Sequence, residues 1–469
     1  MGCLCSSNQG INLKVVTRSL SFSTNSDKDD IPFSNFSMHR NFHSEYKVVK
    51  ELIGSGLFGE IRICHQLSTN RVYAVKIVSK AGLPSDILKK KQFEAQVKIM
   101  QKLDHPCLVK IFDFFEDACH FYLVMDYVKG GDLYAKLETC GRFNEKTAAK
   151  VMKQLFSALA YMHSKNIIHR DVKCDNILIE EFNQKIIVKL IDYDTVIKLG
   201  EKKKIKGIYG TVYYMAPELI EGLYNEKCDV WSAGVVLYSM ITKTFPYGGG
   251  CDEVIMRNII NSKINFEALK IWKASNELID FLRSVLNYSP ESRISAIQAC
   301  SHSWIQKYCK TRIPVQVPSI DQPVFYNYLS QALKIWIVKN IIPVKEVAKY
   351  HMLFLNSDRD CDGGINSSEL KAVFDDERLI GTLMKITDLN SRGVLRYYEF
   401  LSLVMSKETI LKYSCEIVKV LDNDSSGKIS LNSLISFLEN SLEGQIEINF
   451  GIQKDEISIH EIIELISNY

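Results

Sequence analysis

The segment IIHRDVKCDNILI, residues 167–179, constrains the fold of this chain more than any other stretch of its 469 residues. It places a group of polar side chains between two apolar runs: His169, Arg170, Asp171, Lys173 and Asn176. Transfer of a phosphoryl group to a hydroxyl requires a carboxylate that orients the acceptor, which Asp171 can provide, and a cation near the phosphate, which Lys173 can provide. It also requires metal ligands, for which Asn176 and the later Asp192 are candidates.

A glycine-rich segment lies nearer the N-terminus. LIGSGLFGEI, residues 52–61, is followed by VYAVKIV at 72–78, and the apolar alternation predicts a strand in each. The glycines allow a hairpin backbone to approach phosphate groups, although glycines at this spacing also occur in ordinary tight turns. Lys76 on the second strand favours nucleotide binding, because its ammonium group can hold the α- and β-phosphates.

Further motifs follow in this order: GTVYYMAPE at 210–218, CDVWSAGVVLY at 228–238 and SRISA at 292–296. With this series, residues 46–304 resemble a serine/threonine protein kinase. The resemblance implies an α+β, bilobal fold in which ATP lies between a small lobe dominated by antiparallel sheet and a larger helical lobe. It also implies that Glu218 pairs with Arg293 and that Asp229 supports the catalytic loop.

The kinase resemblance implies a role for each candidate site residue. Asp171 and Lys173 would be catalytic, and Asn176 and Asp192 would bind Mg²⁺. ATP would contact the glycine-rich segment, the strand lysine and the hinge region, which comprise Ile53, Gly54, Ser55, Gly56, Leu57, Phe58, Gly59, Glu60, Ile61, Lys76, Met125, Asp126, Val128 and Asp132.

Two acidic residues bear on the choice of substrate. Asp132 and Asp175 stand where kinases that prefer basic substrates carry carboxylates. The predicted substrates are therefore proteins with basic residues near a serine or threonine. The alternative is that both are solvated surface residues.

The C-terminal part of the chain is acidic and alternates short helices with polar loops. Residues 346–469 contain 12 Lys and Arg against 21 Asp and Glu. DRDCDGGINSSE, residues 358–369, fits the calcium-loop template, because it has oxygen ligands at the first, third, fifth and twelfth positions and a glycine at the sixth. These residues are Asp358, Asp360, Asp362, Glu369 and Gly363.

Three weaker copies of this loop follow, at 388–399, 422–433 and 450–461. The second loop has Arg392 where an oxygen ligand belongs, and the third ends in Ser433, which cannot bind in bidentate fashion. Their remaining candidate ligands are Asp388, Asn390, Glu399, Asp422, Asp424 and Ser426. The fourth loop has lost its first three ligands. Four EF-hand units are predicted: the first binds Ca²⁺, the next two bind it weakly if at all, and the last is structural.

Residues 325–342, FYNYLSQALKIWIVKNII, have apolar residues at helical spacing around Lys334 and Lys339. This pattern is typical of calmodulin targets, and a packing helix of the larger lobe is the alternative. The order of kinase, basic helix and EF-hand units resembles the calcium-dependent protein kinases of plants and protists. The resemblance implies autoinhibition, in which the junction helix occupies the substrate region until Ca²⁺ binding makes the all-α EF-hand domain capture it.

The start of the chain, MGCLCSS, predicts membrane attachment. Gly2 is a candidate for N-myristoylation. Cys3 and Cys5 are candidates for palmitoylation, because one acyl chain alone anchors a protein only marginally. An unmodified, disordered terminus is the alternative. The predicted location is therefore cytoplasmic and membrane-associated.

Composition adds two expectations. The 13 cysteines are irregularly spaced, which favours reduced thiols over a zinc site or a disulfide framework. No dense basic run with interleaved aromatic residues is present in the sequence, so nucleic acid is not a predicted partner. The predicted organisation is a tether at 1–42, a kinase domain at 43–307, a junction at 308–345 and a calmodulin-like domain at 346–469.

Two positions depart from the kinase pattern. Gln96 stands where a glutamate should pair with Lys76, and Asp194 stands where a glycine should follow the metal-binding Asp192. Aspartate tolerates the left-handed conformation that this turn was expected to need, at the expense of stiffness. Because the groups that touch ATP, metal and acceptor are retained, the predicted function is a weakened but active calcium-stimulated serine/threonine kinase. The alternative is a calcium-responsive pseudokinase that acts as a membrane-tethered scaffold.

Overall fold

The N-terminal lobe of the computed structural model is a five-stranded antiparallel sheet with the spatial order β1-β2-β3-β5-β4. A short helix, α1 (Phe42–Glu45), precedes it. The strands are β1 (Tyr46–Gly56), β2 (Gly59–Gln66), β3 (Val72–Ser79), β4 (Ile111–Glu116) and β5 (His120–Met125). The structure describes residues 41–56, 59–68, 70–82, 97, 99–100, 102–182, 185–200, 204–309, 324–374, 376–389, 392–422, 426–441 and 455–467.

An aromatic cluster holds one face of this sheet. Phe42 stacks on Tyr122 with ring centroids 4.4 Å apart, and Tyr46 and Phe115 pack against Phe42 at 5.6 Å each. The apolar side chains of β3 alternate between this cluster, through Tyr73 and Val75, and the main core. Because successive side chains of β3 point to opposite faces of the sheet, the strand is buried on both faces.

The larger lobe is mainly helical. Its helices are α2 (Leu133–Cys140), α3 (Glu145–Ser164), α4 (Pro217–Ile220), α5 (Lys227–Thr242), α6 (Asp252–Asn261), α7 (Asn276–Val285), α8 (Ala296–Ser301) and α9 (Ser303–Cys309). Its strands are β6 (Ile167–Ile168), β7 (Ile177–Phe182), β8 (Lys185–Leu190), β9 (Ile197–Lys198), β10 (Ile205–Lys206) and β11 (Leu223–Tyr224), which pair as β6–β9, β7–β8 and β10–β11. The predicted α+β class and bilobal fold are confirmed.

Two long helices form the centre of the larger lobe. Helix α5 is buried from Cys228 to Thr242, and α3 is buried from Val151 to Met162, Lys153 and Gln154 included. The two helices pack against each other, and Trp231 and Trp304 are fully buried in this core. The short strand β6 lies beside α3 and β7 lies beside α2, so the loop between the two strands is anchored on helices at both ends.

The C-terminal segment consists of helix–loop–helix units. Its helices are α10 (Val324–Asn340), α11 (Val344–Ser357), α12 (Ser367–Leu370), α13 (Glu377–Thr387), α14 (Tyr397–Val404), α15 (Lys407–Leu421), α16 (Leu431–Ser441) and α17 (Ile459–Ser467). Its strands are β12 (Gly364–Asn366), β13 (Val394–Arg396), β14 (Lys428–Ser430) and β15 (Glu456–Ser458). Strands β12 and β13 pair the first two units, and β14 and β15 pair the last two.

Helix α10 lies among the other C-terminal helices and packs mainly against α13 to α17. Every side chain from Leu329 to Val338 is buried, including that of Lys334. The sequence predicts an amphipathic helix here with basic residues on its polar face. The structure instead buries Lys334 and Lys339, because the surrounding helices enclose α10 on all sides.

Candidate functional site

The loop between β6 and β7 brings the predicted catalytic residues together. The Asp171 carboxylate accepts a hydrogen bond from the Lys173 ammonium at 2.7 Å. The Asn176 amide donates to the Asp171 backbone oxygen at 2.8 Å and to its carboxylate at 3.1 Å. The three side chains therefore form one cluster, in which Asp171 has a fixed orientation.

Thr211, for which the sequence pattern predicted no role, completes this cluster. Its hydroxyl donates to the second Asp171 oxygen at 2.9 Å and accepts from Lys173 at 3.2 Å. Gly210 precedes it with φ +102°, and a Cβ there would lie 2.6 Å from the Arg170 carbonyl oxygen. Gly210 in the motif GTVYYMAPE could have indicated this contact from the sequence. A residue without a Cβ lets the backbone come close to Arg170, and this places the Thr211 hydroxyl beside Asp171.

Asp229 holds the start of the catalytic loop. Its carboxylate accepts from the backbone N–H groups of His169 and Arg170 and from the His163 ring, each at 2.9 Å. Burial opposes its charge, but the hydrogen bonds and charges of His163 and His169 dominate and lower the pKa of Asp229. Arg170 adopts φ +70°, a strained conformation that these bonds fix. The predicted supporting role of Asp229 is confirmed.

The predicted pair of Glu218 and Arg293 is also present. The two side chains form a bidentate ion pair with distances of 2.6 and 3.0 Å, and both are buried. This geometry is the strong form of the interaction. It joins the segment after the catalytic cluster to the rest of the helical lobe.

Backbone pairing brings the candidate magnesium ligands, Asn176 and Asp192, to neighbouring positions where β7 begins and β8 ends. The Ile191 N–H donates to the Asn176 carbonyl oxygen at 2.9 Å, and the Ile191 carbonyl lies 3.0 Å from the His169 ring. Asp192 follows with φ +66°. Burial and the neighbouring Asp194 raise the pKa of Asp192, and Lys76 opposes this shift. A buried carboxylate whose negative charge is disfavoured fits a bound divalent cation, so the pair suits Mg²⁺.

The glycine-rich segment forms the hairpin between β1 and β2, in which Gly56 pairs with Gly59. A Cβ at Gly59 would lie 2.0 Å from the Ile77 carbonyl oxygen, so only glycine fits. Gly54 has more space, with its nearest contact at 3.6 Å to Ile61. Ile53, Ser55 and Glu60 lie on the same hairpin, and Leu57 and Phe58 lie outside the described residues.

The predicted hinge follows β5. Met125 is the last residue of that strand, and the Asp126 carboxylate accepts from Lys189 at 2.7 Å and from the Lys110 N–H at 2.9 Å. These bonds occupy the Asp126 side chain, and the Asp126 N–H donates to the Lys110 carbonyl oxygen at 3.1 Å. The remaining backbone groups of the segment to Val128 would be the ones to contact a nucleotide.

Asp132 has a structural partner as well. Its carboxylate caps helix α2 by accepting from the Ala135 N–H at 2.7 Å. Asp175 is exposed. The structure therefore gives Asp132 a role in the fold that the sequence analysis did not include.

Lys76 has an unexpected partner. Its ammonium group donates to both carboxylate oxygens of Asp194, at 2.7 and 2.8 Å. Asp194 is not among the residues with positive φ, whereas Asp192 is. The expectation that an aspartate here must take the left-handed conformation was wrong, because the turn places that conformation two residues earlier. Gln96 and Glu94 lie outside the described residues.

The first C-terminal loop, residues 358–369, brings its acidic residues together. Ligand oxygens of Asp358, Asp360 and Asp362 all lie within 4.8 Å of one another. Glu369 accepts from the Arg359 N–H at 2.7 Å, and Gly363 adopts φ +86°. Burial, then the Cys361 thiol and the loop carboxylates, raise the pKa of Asp358 to about 8. This concentration of oxygen donors fits Ca²⁺, which would stabilise the ionised form.

The later loops are less complete. Asp388 accepts from the Arg392 and Gly393 N–H groups at 3.0 and 2.6 Å. Burial raises the pKa of Glu399 to about 7. Asp422 accepts from the Ser426 N–H at 2.9 Å. Asn390, Asp424 and residues 450–454 lie outside the described residues.

The first loop also lies against the larger lobe. A Cβ at Gly363 would lie 2.6 Å from the Tyr161 ring on α3. Arg396 of the second loop forms an ion pair at 3.2 Å with Asp104, which lies between β3 and β4 and donates its N–H to the Tyr161 hydroxyl of α3. His351 of α11 lies 3.0 Å from the Gln154 amide oxygen, inside the same interface.

The predicted lipidation residues Gly2, Cys3 and Cys5 lie outside the described residues, so their modification stays a prediction. In the part of the chain that the structure describes, no helix combines the length and the apolar composition that spanning a bilayer requires.

Comparison with known proteins adds independent findings. Residues 47–305 match the family described as protein kinase domain. The chain is 31% identical over 421 residues to calcium-dependent protein kinase 4 of Plasmodium berghei (strain Anka), which covers 84% of this chain and 79% of the relative. It is 30% identical to the protein of the same name in Plasmodium falciparum (isolate 3D7) over the same shares. It is 27% identical to calcium-dependent protein kinase 5 of that organism, over 89% of this chain and 74% of the relative.

Proposed function

The chain belongs to the calcium-dependent protein kinase family, and on that premise we propose that it is a calcium-regulated serine/threonine protein kinase. It would transfer the γ-phosphate of ATP to proteins with basic residues near the acceptor. The observation that carries the proposal is the cluster of Asp171, Lys173, Asn176 and Thr211, in which hydrogen bonds of 2.7 to 3.2 Å connect all four side chains.

Each side chain of the cluster has a task in this reaction. Asp171 accepts the hydrogen bond of the incoming hydroxyl and orients it toward the phosphate. Lys173 and Thr211 hold Asp171 in place, and the Lys173 ammonium lies ready to stabilise charge on the transferred group. Asn176 and Asp192 would hold Mg²⁺, which supplies charge neutralisation at the phosphate oxygens when it is bound with ATP. Lys76 would position the α- and β-phosphates beneath the glycine-rich hairpin.

The proposed regulation uses the C-terminal segment as an EF-hand domain. Without Ca²⁺, α10 would occupy the substrate region. With Ca²⁺ bound mainly at 358–369, the paired units would capture it. The enclosed position of α10 supports capture: Trp336 packs on Phe437 at 5.1 Å, and Ser330 donates to the Leu465 carbonyl at 2.7 Å. Burial, and then Lys407, lower the pKa of Lys334 to about 7, so enclosing this lysine costs free energy that captured apolar surface must offset.

The alternative of a scaffold without phosphoryl transfer gains no support from the intact cluster or from the names of the relatives. The test is transfer of labelled phosphate from ATP to a basic serine-containing peptide, with and without Ca²⁺. We expect transfer that rises with Ca²⁺ and falls by three or more decades in Asp171→Asn, roughly the contribution of a catalytic base with its oriented partners. Equal transfer by the natural protein and Asp171→Asn would refute the proposal.

Membrane attachment through myristoylated Gly2 and palmitoylated Cys3 and Cys5 is a separate part of the proposal. The Gly2→Ala variant should move to the soluble fraction, because no acyl chain then remains at the terminus. The Cys3→Ser/Cys5→Ser variant should bind membranes weakly and reversibly, as one chain alone allows. Fractionation of cells that express each variant measures this. An unchanged membrane fraction for Gly2→Ala would exclude the anchor.

A further inference from the structure

Lys76 needs an anionic partner, and the sequence position that should supply one in a kinase holds Gln96. A buried ammonium group without a counter-charge is costly, and a glutamine amide can donate or accept a hydrogen bond but cannot neutralise charge. Lys76 is 8% exposed, in the middle of the sheet. Its extended side chain must nevertheless reach the phosphates, so something has to hold the ammonium group in place.

We propose that Asp194 is the positioning residue for Lys76 and takes over the task that Gln96 cannot perform. The proposal rests on the kinase function proposed above. Both Asp194 oxygens lie within 2.8 Å of the ammonium nitrogen. In the described part of the chain, Asp194 is the only side chain to which Lys76 hydrogen-bonds. The two departures from the kinase pattern therefore compensate each other: the carboxylate missing at Gln96 is supplied by Asp194.

Asp194 pairs with Lys76 without adopting a left-handed backbone conformation itself. Asp194 follows Tyr193, whose buried hydroxyl donates to the Val109 carbonyl at 3.0 Å and fixes the turn. The Asp194 side chain is 19% exposed and that of Lys76 is 10% exposed. An ion pair so removed from water is held more firmly than a surface pair, because both groups lack competing solvent.

The turn therefore divides its two carboxylates between two cations. Asp192 follows Ile191, whose N–H donates to the Asn176 carbonyl oxygen, and would hold a metal ion together with Asn176, whereas the Asp194 carboxylate accepts from Lys76. Their separation into two tasks explains how a second negative charge can stand two residues from the metal ligand. In this arrangement the Lys76 charge offsets the Asp194 charge, and Asp192 keeps its carboxylate for the metal.

The test is a cycle of four proteins: the natural one, Asp194→Gly, Gln96→Glu and the double variant Gln96→Glu/Asp194→Gly. Affinity for a fluorescent ATP analogue and the KM for ATP are measured for each, together with kcat. We expect Asp194→Gly to lose about 10- to 100-fold in kcat/KM for ATP and a similar factor in affinity, because a charge-assisted pair is lost. The double variant should recover to within about threefold of the natural protein, because the glutamate restores the partner.

Two control variants test whether the effect depends on the Asp194 charge and whether it is specific to this ion pair. Asp194→Asn preserves the shape of the side chain and removes only its charge, so it tests the same point should Asp194→Gly fold poorly. Glu116→Gln removes the partner of Lys80 from an ion pair at the surface of the same lobe, and it should change neither ATP affinity nor kcat.

The possible results distinguish a supporting role of Asp194 from a competing one. If Asp194→Gly matches or exceeds the natural protein, Asp194 competes with the phosphates for Lys76 and the proposal is wrong. If the double variant is no better than Asp194→Gly, the two positions do not share a task, and the proposal is again wrong. The affinity for nucleotide tests the proposal independently of turnover. If affinity falls in Asp194→Gly and returns in the double variant, the role of Asp194 is supported even when no phosphate transfer is detected. The absence of phosphate transfer would contradict only the proposed kinase function.

Discussion

The two halves of the C-terminal segment share one architecture and differ in what they touch. The first pair of units, around the loops at 358–369 and 388–399, contacts both α10 and the larger lobe of the kinase domain. In the described residues of the second pair, around 422–433 and 450–461, the main packing partner outside the pair is α10. The most complete calcium loop lies in the pair that touches the kinase domain. Under the proposed regulation, the calcium response would enter where the first loop meets the kinase domain, while the second pair mainly encloses α10.

The strand pairing explains how both halves keep their shape despite unequal ligands. Ile365 pairs with Leu395 in the first half, and Ile429 pairs with Ile457 in the second. All four side chains are buried. Each incomplete loop is therefore held by its neighbour through apolar packing and backbone hydrogen bonds, which need no bound ion. A loop can lose its ligands and still support its partner.

Among tests that compare the two halves, Glu369→Gln should have the largest effect on Ca²⁺ affinity. It removes the carboxylate at the twelfth position of the most complete loop. Removing the bidentate carboxylate should weaken Ca²⁺ binding by on the order of 100-fold. The matched change Glu399→Gln should have a much smaller effect, since Arg392 already occupies a ligand position there. Titration calorimetry measures both affinities. Tight binding that persists in Glu369→Gln would show that another loop is the principal site.

The second effect comes from the contact between the first loop and the kinase domain. Gly363→Ala adds a Cβ 2.6 Å from the Tyr161 ring at a residue with φ +86°. Gly393→Ala is the matched control, because Gly393 has φ +76° but no atom within 4 Å of a Cβ. Both variants bear the left-handed strain of about 1–2 kcal/mol, and only the first also has the clash.

Thermal unfolding and the Ca²⁺ concentration for half-maximal kinase activity measure this contact. Gly363→Ala should be the less stable variant by roughly a further 1–3 kcal/mol, the usual range for overpacking, and should need more Ca²⁺. In a shared Tyr161→Ala background, where the ring is absent, Gly363→Ala and Gly393→Ala should cost similar stability, although Tyr161→Ala is itself destabilising because Tyr161 is buried. Equal behaviour of the two glycine variants would mean that the loop does not depend on the kinase domain.

Much of the catalytic site could be predicted from sequence because its residues lie close together along the chain. Asp171, Lys173 and Asn176 fall within one loop, and the ligands of the first calcium loop fall within twelve residues. Thr211 could not be assigned, because its contact with Asp171 depends on a close backbone approach between segments 40 residues apart. The Lys76–Asp194 pair spans 118 residues and the Asp104–Arg396 pair spans 292. Such contacts leave no periodic pattern, so only the three-dimensional fold reveals them.

The smallest expected effect concerns pH and the buried histidine at the interface of the first pair. Burial lowers the pKa of His351 to about 3. Its ring lies between the Gln154 amide oxygen and the Tyr397 hydroxyl at 3.0 and 3.1 Å. In the unfolded chain an unperturbed histidine has a pKa of about 6.5. Because the folded value is the lower one, His351 favours folding fully above pH 6.5, and this contribution is lost progressively as the pH falls toward 3.

Lowering the pH from 7.5 to 5.5 should therefore cost the natural protein about 1.4 kcal/mol of unfolding free energy through this residue, one pKa unit of linkage. Denaturant unfolding of the natural protein and His351→Gln at both pH values measures the difference, and the shared contributions of other groups such as Asp358 cancel in the comparison. The variant will be less stable overall, but its loss on acidification should be smaller. His460→Gln in the second pair, where the ring is exposed, should behave like the natural protein. An equal loss on acidification in His351→Gln and the natural protein would place the acid sensitivity elsewhere and remove this distinction between the halves.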